Sequence, residues 1–476
     1  MNKSELPYLS ATELSKLMRS KKVSPVEAAE AYLERIDKIN PKVHAYITVT
    51  GDIALKQARQ AEKEITKGNW RGPMHGVPYA MKDQIWTKGI RTTNASDVLK
   101  DFVPDDDATV VTKLRDAGAV MLGKLNLAEF AGGGIFKFPY GQPRNPWNLE
   151  HITGGSSTGS GAATAAYLCA TSLGEDTGGS IRSPASFCGL VGLRPTWSRI
   201  SQHGLFRSAW SMDTIGPISR TVEDCAMTLE AIAGNDSKDP YSSNQSVPAY
   251  AKQLNGKIKG TRVGIVKELL YDESIEPVVR KGVLGVAKKL KELGCEVEEV
   301  SVPTLDAGHS YLIQLAFNPA EVSSLYRHHI LNKLDDFNYD VQVRLLLGAI
   351  WPAQWYYKGQ RLREQLRSQV LAAFQKYDVL IGATDTCVAP KITPGKMPGS
   401  KEKMKESVVS PVFQTVGFAL ASVPAMSVPC GFTSDKPGGL PLSFQIGGRP
   451  FDEAAMLNVA YAYEQSTGWH KRRPPI

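Results

Sequence analysis

Two glycine- and serine-rich turns constrain this chain more than any other feature: Gly154-Gly155-Ser156-Ser157-Thr158-Gly159-Ser160 and Gly174-Glu175-Asp176-Thr177-Gly178-Gly179-Ser180-Ile181-Arg182. Residues 162–170 between them are mostly small, which suits a helix and a strand packed at close range. The glycines at 178 and 179 let successive N–H groups turn towards one point, as an anion nest requires. A flexible Gly-Ser linker is the plain alternative. It fails because Ile181, Phe187, Leu190, Val191 and Leu193 follow at once and need a core. Hydroxyls and bare amides gathered in one compact segment are the ingredients of nucleophilic catalysis.

With 476 residues, 42% hydrophobic and 22% charged, the chain has the composition of a soluble globular protein, read here as one large α/β domain. The net charge of +8 is spread along the sequence rather than gathered in runs, so no nucleic-acid partner is expected. Cys169, Cys188, Cys225, Cys295, Cys387 and Cys430 are isolated, without the spacing of a zinc site, and read as reduced core residues. No metal or organic cofactor is expected. The start, Met-Asn-Lys-Ser-Glu-Leu-Pro, has no apolar signal region and no long apolar span follows, which points to the cytoplasm and no membrane partner.

Residues 1–66 read as a helical arm, because Ser10-Ala11-Thr12-Glu13 and Ser24-Pro25-Val26-Glu27 both have capping-box form. A signature core over 67–230 alternates apolar runs (77–81, 119–123) with a helical pattern (108–117), the rhythm of an α/β fold. Residues 235–260, rich in Asp, Ser, Asn and Pro, predict an exposed connection. A second α/β half over 261–476 begins with a strand at 263–266, a helix over 275–293 and a strand over 296–302. Residues 390–407 predict a loop that is either a lid or a surface excursion.

Several motifs lead nowhere. Gly154 to Gly159 has phosphate-loop spacing, but Ser160-Gly161 stands where Lys-Ser/Thr should follow. Gly155-Ser156-Ser157-Thr158-Gly159 fits G-x-S-x-G with Ser157 as nucleophile, yet His203, His309, His328, His329 and His470 lack a catalytic context. Ser400-Lys401-Glu402-Lys403 matches S-x-x-K without supporting motifs. A serine can instead be activated by a lysine kept neutral through burial, which must bring its pKa down from about 10.4 by several units. Lys82 ends the apolar run Val77-Pro78-Tyr79-Ala80-Met81 and would project from the end of a buried strand; read alone, it is better explained as a lysine leaving the strand for solvent, and only its context favours a base.

Asp176 to Ala185 and Phe187-Cys188-Gly189-Leu190-Val191-Gly192-Leu193-Arg194-Pro195-Thr196, taken with Gly154-Gly155-Ser156-Ser157, resemble the amidase signature family. So do Gly76 to Asp83, Asn126-Leu127-Ala128-Glu129-Phe130, Pro143-Arg144-Asn145-Pro146-Trp147 and Gly216-Pro217-Ile218, so that the likeness covers nearly the whole chain. The resemblance implies a central mixed β-sheet flanked by helices on both faces. It also implies a Ser–cisSer–Lys triad: Ser180 as nucleophile, Ser156 as the bridging serine after a cis peptide, Lys82 as base. The amides of Thr177, Gly178, Gly179 and Ser180 would form the oxyanion hole. Ser157 and Ser183 would position these groups, while Asp176 with Arg182 reads as either a positioning pair or a scaffold ion pair.

Gly132-Gly133-Gly134-Ile135-Phe136 would line the acyl site, as the corresponding loop does in the family, with Trp86 and Trp210 as further aromatic walls. Arg207 departs from the small or apolar residue expected there, and reads either as a solvated surface group or as a contact to a substrate carbonyl or carboxylate. The implied activity is hydrolysis of carboxylic amides through a Ser180 acyl-enzyme, extending to esters, anilides or carbamates, on a small-molecule substrate. The alternative is the glutaminase (A) subunit of a tRNA-dependent amidotransferase, which shares the triad and works with partner subunits. Against the alternative, the signature reads Ser-Ser-Thr-Gly-Ser-Gly where those subunits usually carry Ser-Ser-Gly-Gly-Ser-Ala. A homodimer is compatible with either reading.

Overall fold

The computed structural model describes residues 2–132, 138–393, 414–434 and 439–476. Its strands are β1 (Tyr46–Val49), β2 (Pro78–Lys82), β3 (Val120–Leu125), β4 (Thr171–Asp176), β5 (Val191–Arg194), β6 (Thr214–Ser219), β7 (Arg262–Val266), β8 (Glu296–Val300), β9 (Val379–Ala383), β10 (Ala425–Phe432) and β11 (Pro441–Gly448). All eleven belong to one sheet in the order β1-β3-β2-β4-β6-β5-β10-β11-β9-β7-β8. β2 lies parallel between β3 and β4, and β7 lies parallel between β8 and β9. The remaining pairs are antiparallel, including the seam between the two halves, where Ala425, Met426 and Ser427 of β10 face Arg194, Leu193 and Gly192 of β5. The result is the mixed sheet flanked by helices that the sequence implied.

The inner strands β2, β3, β4 and β9 are buried on both faces, which is why β2 and β9 read as apolar runs rather than as alternating patterns. The two amino-terminal helices, Ala11–Arg19 and Pro25–Val43, start at the expected capping boxes, with Ser10 paired to Glu13 and Ser24 to Glu27. The arm is not wholly helical, because the aromatic and β-branched run Tyr46-Ile47-Thr48-Val49 joins the sheet as its edge strand. Residues 235–260 are mostly exposed, with a few anchors turned inwards. Tyr250 is buried with its hydroxyl 3.2 Å from Glu453, and buried Asp239 accepts the Gln202 amide at 2.8 Å. Their polar side chains satisfy backbone groups in successive turns, as Asp236 and Ser242 do.

One region had no sequence expectation: the helices Ala307–Leu325, Arg327–Lys333, Tyr339–Ala349 and Ala353–Lys376, which precede β9; the first and last pack through Phe317, Leu366, Val370 and Phe374, and the third through Val341 and Leu345. All six cysteines are free, five of them buried. Among the described residues no helix is long and apolar enough to cross a membrane. The expected loop over 390–407 and the Ser400-Lys403 motif fall largely or wholly outside the described residues.

The helix Thr158–Ala165 approaches β3 so closely that a Cβ on Gly159 would sit 2.5 Å from Asn126 N. Around Gly285, in the exposed face of the helix Pro277–Glu292, nothing lies within 4 Å of the place a Cβ would take. Gly159→Ala is therefore expected to destabilise the protein by about 1–3 kcal/mol, and Gly285→Ala to stabilise it by about 0.5–1 kcal/mol. Urea unfolding of the two variants beside the parent chain checks both signs.

Candidate active site

β2 delivers Lys82 at its carboxyl end, beside the carboxyl end of β4, where the chain turns through residues 177–181 into the short helix Arg182–Phe187. The first glycine-serine turn closes on the same place. Ser157 Oγ lies 3.2 Å from Glu175 O and accepts the Glu175 amide at 3.3 Å, while the Ser157 amide donates to Ser180 O at 3.3 Å. Ser157 thus staples one turn to the other. It is fully buried, which disposes of the G-x-S-x-G reading with Ser157 as nucleophile.

Lys82 Nζ lies 2.8 Å from Ser156 Oγ, 3.0 Å from Glu175 Oε2 and 3.3 Å from Glu175 O, with both Lys82 and Glu175 wholly inaccessible to solvent. The Gly155–Ser156 peptide is cis. Burial pushes the Lys82 amine below the usual lysine range, and the neighbouring acidic groups, Glu175 foremost, pull it the other way. Ser180 is partly accessible at the start of the turn into the helix. Lys82, Ser156 and Ser180 are therefore gathered at one end of the sheet.

Of the four amides expected in an oxyanion hole, that of Gly179 is turned inwards. A φ of +139°, open to glycine, aims it at Asp176 Oδ1 at 2.7 Å. This corrects the expectation for Gly179: its N–H already serves a carboxylate. The amides of Thr177, Gly178 and Ser180 have no hydrogen-bond partner among the described residues.

Asp176 is the hub beneath this turn. Besides Gly179 it accepts from Ile181 N, Arg182 Nε (3.1 Å) and Nη2 (3.2 Å), and Arg194 Nη1 (3.3 Å). The scaffold ion pair of Asp176 with Arg182 is thus present, with Arg194 as a third member. Burial opposes ionisation of Asp176, but the two guanidiniums more than offset it and hold the carboxyl at about 2.

Several groups around the site were not singled out from the sequence. Glu175 touches Lys82 directly. Thr177 Oγ1 lies 2.8 Å from Glu175 Oε1 and 2.7 Å from Asp213 Oδ1, because Asp213 immediately precedes β6, the antiparallel neighbour of β4. Burial, then the charge of Glu175, raise the Asp213 carboxyl well above its usual range. From the helical segment, Gln314 packs against Gly178, and Thr415 Oγ1 donates to Gly178 O at 2.7 Å. Arg344 lies against the backbone of Gly132, where a Cβ would overlap its Nη1. Its Nη2 donates to Asn318 Oδ1 (2.6 Å) and Ser208 Oγ (2.9 Å), both neutral, and no carboxylate among the described residues pairs with it.

Of the expected substrate loop, Gly132 is described, whereas Gly133, Gly134, Ile135 and Phe136 lie outside the described residues. Arg207 faces Asp239 at 3.9 Å and gives its backbone oxygen to the Tyr326 hydroxyl. Trp86 packs with Phe102 and Phe206, and Trp210 with Tyr241.

The amidase family profile matches residues 27–457, and the chain belongs to that family, whose members are enzymes of C–N bond hydrolysis. It is 41% identical to the A subunit of the glutamyl-tRNA(Gln) amidotransferase of Moorella thermoacetica, over 99% of each chain. Among solved structures it resembles the corresponding protein from Thermotoga maritima (31% identity, TM-score 0.80, 97% of this chain and 95% of that one). It equally resembles the peptide amidase of Stenotrophomonas maltophilia (31%, TM-score 0.83, 99% of each).

Asp176 carries a pH signature. Its carboxyl titrates near 2 in the folded protein against 3.8 unperturbed, so its contribution, about 2 kcal/mol, is present above pH 3.8 and fades as pH falls through 2. Asp176→Asn is expected to cost about 3–5 kcal/mol near neutral pH by leaving two buried guanidiniums uncompensated. Unfolding free energies measured between pH 2 and 7 should show this deficit shrinking at the acid end.

Proposed function

We propose that this chain hydrolyses carboxylic amides with Ser180 as nucleophile, Ser156 as relay and Lys82 as base. We further propose that its substrate is a small primary amide bearing a carboxylate, glutamine first among them, as in the glutaminase component of a tRNA-dependent amidotransferase. The buried 2.8 Å contact between Lys82 and Ser156 carries the reading. A lysine beyond the reach of water, next to a hydroxyl, has the setting in which an amine acts as a base near neutral pH.

The proton of Ser180 passes to Ser156 as that of Ser156 passes to Lys82, and Ser180 Oγ attacks the amide carbon. The amides of Thr177, Gly178 and Ser180 receive the oxyanion. Reversal of the relay protonates the leaving nitrogen, ammonia departs, and water enters by the same base to release the acid. Arg344 supports the choice of substrate. An arginine held by two neutral acceptors beside Gly132 keeps its charge for a ligand, and a carboxylate matches its forked donors. The whole-length likeness to the A subunits of amidotransferases favours glutamine, with ammonia passed to partner subunits.

A second reading, a stand-alone amidase, is favoured by Gly161. A Cβ there would lie 3.1 Å from Pro184 Cβ and 3.2 Å from Cys188 Sγ, so the alanine usual in the A subunits would crowd this packing.

Ammonia release from glutamine and from neutral amides, with and without amidotransferase partner subunits, separates the two. Glutamine turnover that rises with partners supports the component; turnover of neutral amides by the chain alone supports the amidase. Ser180→Ala is expected to abolish turnover and Lys82→Ala to lower kcat by about 10²–10⁴. Arg344→Ala should raise KM for glutamine by about 10–100-fold while leaving KM for neutral amides near its original value.

A further inference from the structure

The Lys82–Glu175 contact extends to a third group that the triad does not use. Thr177 Oγ1 is within hydrogen-bond distance of two carboxyl oxygens, Glu175 Oε1 at 2.8 Å and Asp213 Oδ1 at 2.7 Å. A hydroxyl has one proton, so it donates to one of them and must receive from the other, and an ionised carboxylate cannot donate. One of the two carboxyl groups therefore holds a proton. Glu175 Oε2 faces the Lys82 amine at 3.0 Å, which favours its charged form. Asp213 has no cation within ion-pair distance among the described residues. Its neighbours are the amides of Ser208 (2.6 Å from Oδ2) and Ala209 (2.9 Å from Oδ2, 3.0 Å from Oδ1). The amides favour an ionised carboxyl, but burial and the charge of Glu175 outweigh them and raise Asp213 well above its usual range, so the proton is assigned to Asp213 and the donors run from Asp213 through Thr177 to Glu175.

We propose that Glu175 acts through Lys82 as the fixed counter-charge of the base: its carboxylate stabilises the ammonium formed when Lys82 takes the Ser156 proton, and protonated Asp213 keeps Glu175 ionised through Thr177. This rests on Lys82 being the base, as proposed above. Protons move only from Ser180 to Ser156 and from Ser156 to Lys82; Glu175 and Asp213 neither gain nor lose one. The arrangement parallels the aspartate of a Ser-His-Asp triad, which holds the charge that forms on histidine.

The acidic groups facing Lys82 are Glu175 and Asp176 from β4 and Asp213 from the turn before β6. Arg182 and Arg194 offset Asp176, while Arg344 and Tyr326 lie further out beside Asp213. With Asp213 neutral and Asp176 paired, Glu175 is the one unshared negative charge at the amine. It opposes burial and raises the pH at which Lys82 becomes free to accept a proton.

The test is the rate of Ser180 labelling by a fluorophosphonate across pH, read by peptide mass spectrometry on the full chain, which needs no knowledge of the substrate. Removing the charge in Glu175→Gln should move the acidic limb down by about 1–3 pH units and lower the plateau about tenfold or more. A lower plateau with an unmoved limb would mean a merely structural role and overturn the proposal. Glu175→Asp, which keeps the charge but withdraws it, should move the limb the same way by less, and serves if the glutamine variant does not fold. Asp213→Asn, which imitates the protonated acid, should leave the limb in place; a shift as large as that of Glu175→Gln would overturn the proton assignment. Wild-type protein labelled elsewhere than Ser180 would overturn the triad itself, an outcome distinct from an unmoved limb.

Discussion

A buried carboxylate must find all its partners inside the protein, and the way Asp176 does so organises much of this molecule. Its two oxygens collect Gly179 N, Ile181 N and the guanidiniums of Arg182 and Arg194. Arg182 continues to Thr415 O (2.7 Å) and Gln445 Oε1 (3.2 Å), and Gln445 Nε2 reaches Ala383 O and Gln414 O. Arg194 continues to Met212 O, next to Asp213. One carboxylate thus ties the turn that carries Ser180 to β5, β9, β11 and the segment after residue 413. The turn is held by groups from both halves of the chain, which restricts it to one geometry.

Much of this architecture was legible in the sequence because its signals are local. The capping boxes at Ser10 and Ser24, the apolar run that ends at Lys82, and the glycines at 178 and 179 each report on their own neighbourhood. The role of Glu175 was not legible, since a glutamate between Gly174 and Asp176 shows nothing of the lysine on the neighbouring strand. Asp213 meets Thr177 only because β6 pairs with β4, a fact of topology rather than of pattern. Arg344 lies in a helical segment whose apolar residues do not form a clean stripe, with Leu312, Leu331, Ile350 and Tyr357 all exposed. Periodicity carries little there. The inward turn of Gly179 was hidden for a related reason: the same glycine suits an amide facing a ligand or one facing a carboxylate.

The site divides its labour between two sources. The ends of β2 and β4, the two signature turns and the turn before β6 supply the lysine, the serines and the carboxyl groups, all set by a sheet buried on both faces. The outer wall comes from elsewhere: Gln314, Asn318 and Arg344 from the helical segment, and Thr415 from beyond residue 413. Such a division lets a family keep its reaction while the wall changes. It agrees with structural likenesses of similar strength to a peptide amidase and to the Thermotoga maritima component of an amidotransferase.

The strand order also has a bearing on how the chain emerges from a ribosome. β1 to β6 make one flank of the sheet and β7 to β9 the other, and the two flanks meet only through β10 and β11, the last strands to be synthesised. Until residues 425–448 appear, β5 has an open hydrogen-bonding edge on its outer side, and so does β9. An unpaired edge of apolar residues is a template for pairing with other chains. The nascent protein therefore carries one sticky margin once β5 is made and a second once β9 follows, and the closing hairpin covers both in a single late step.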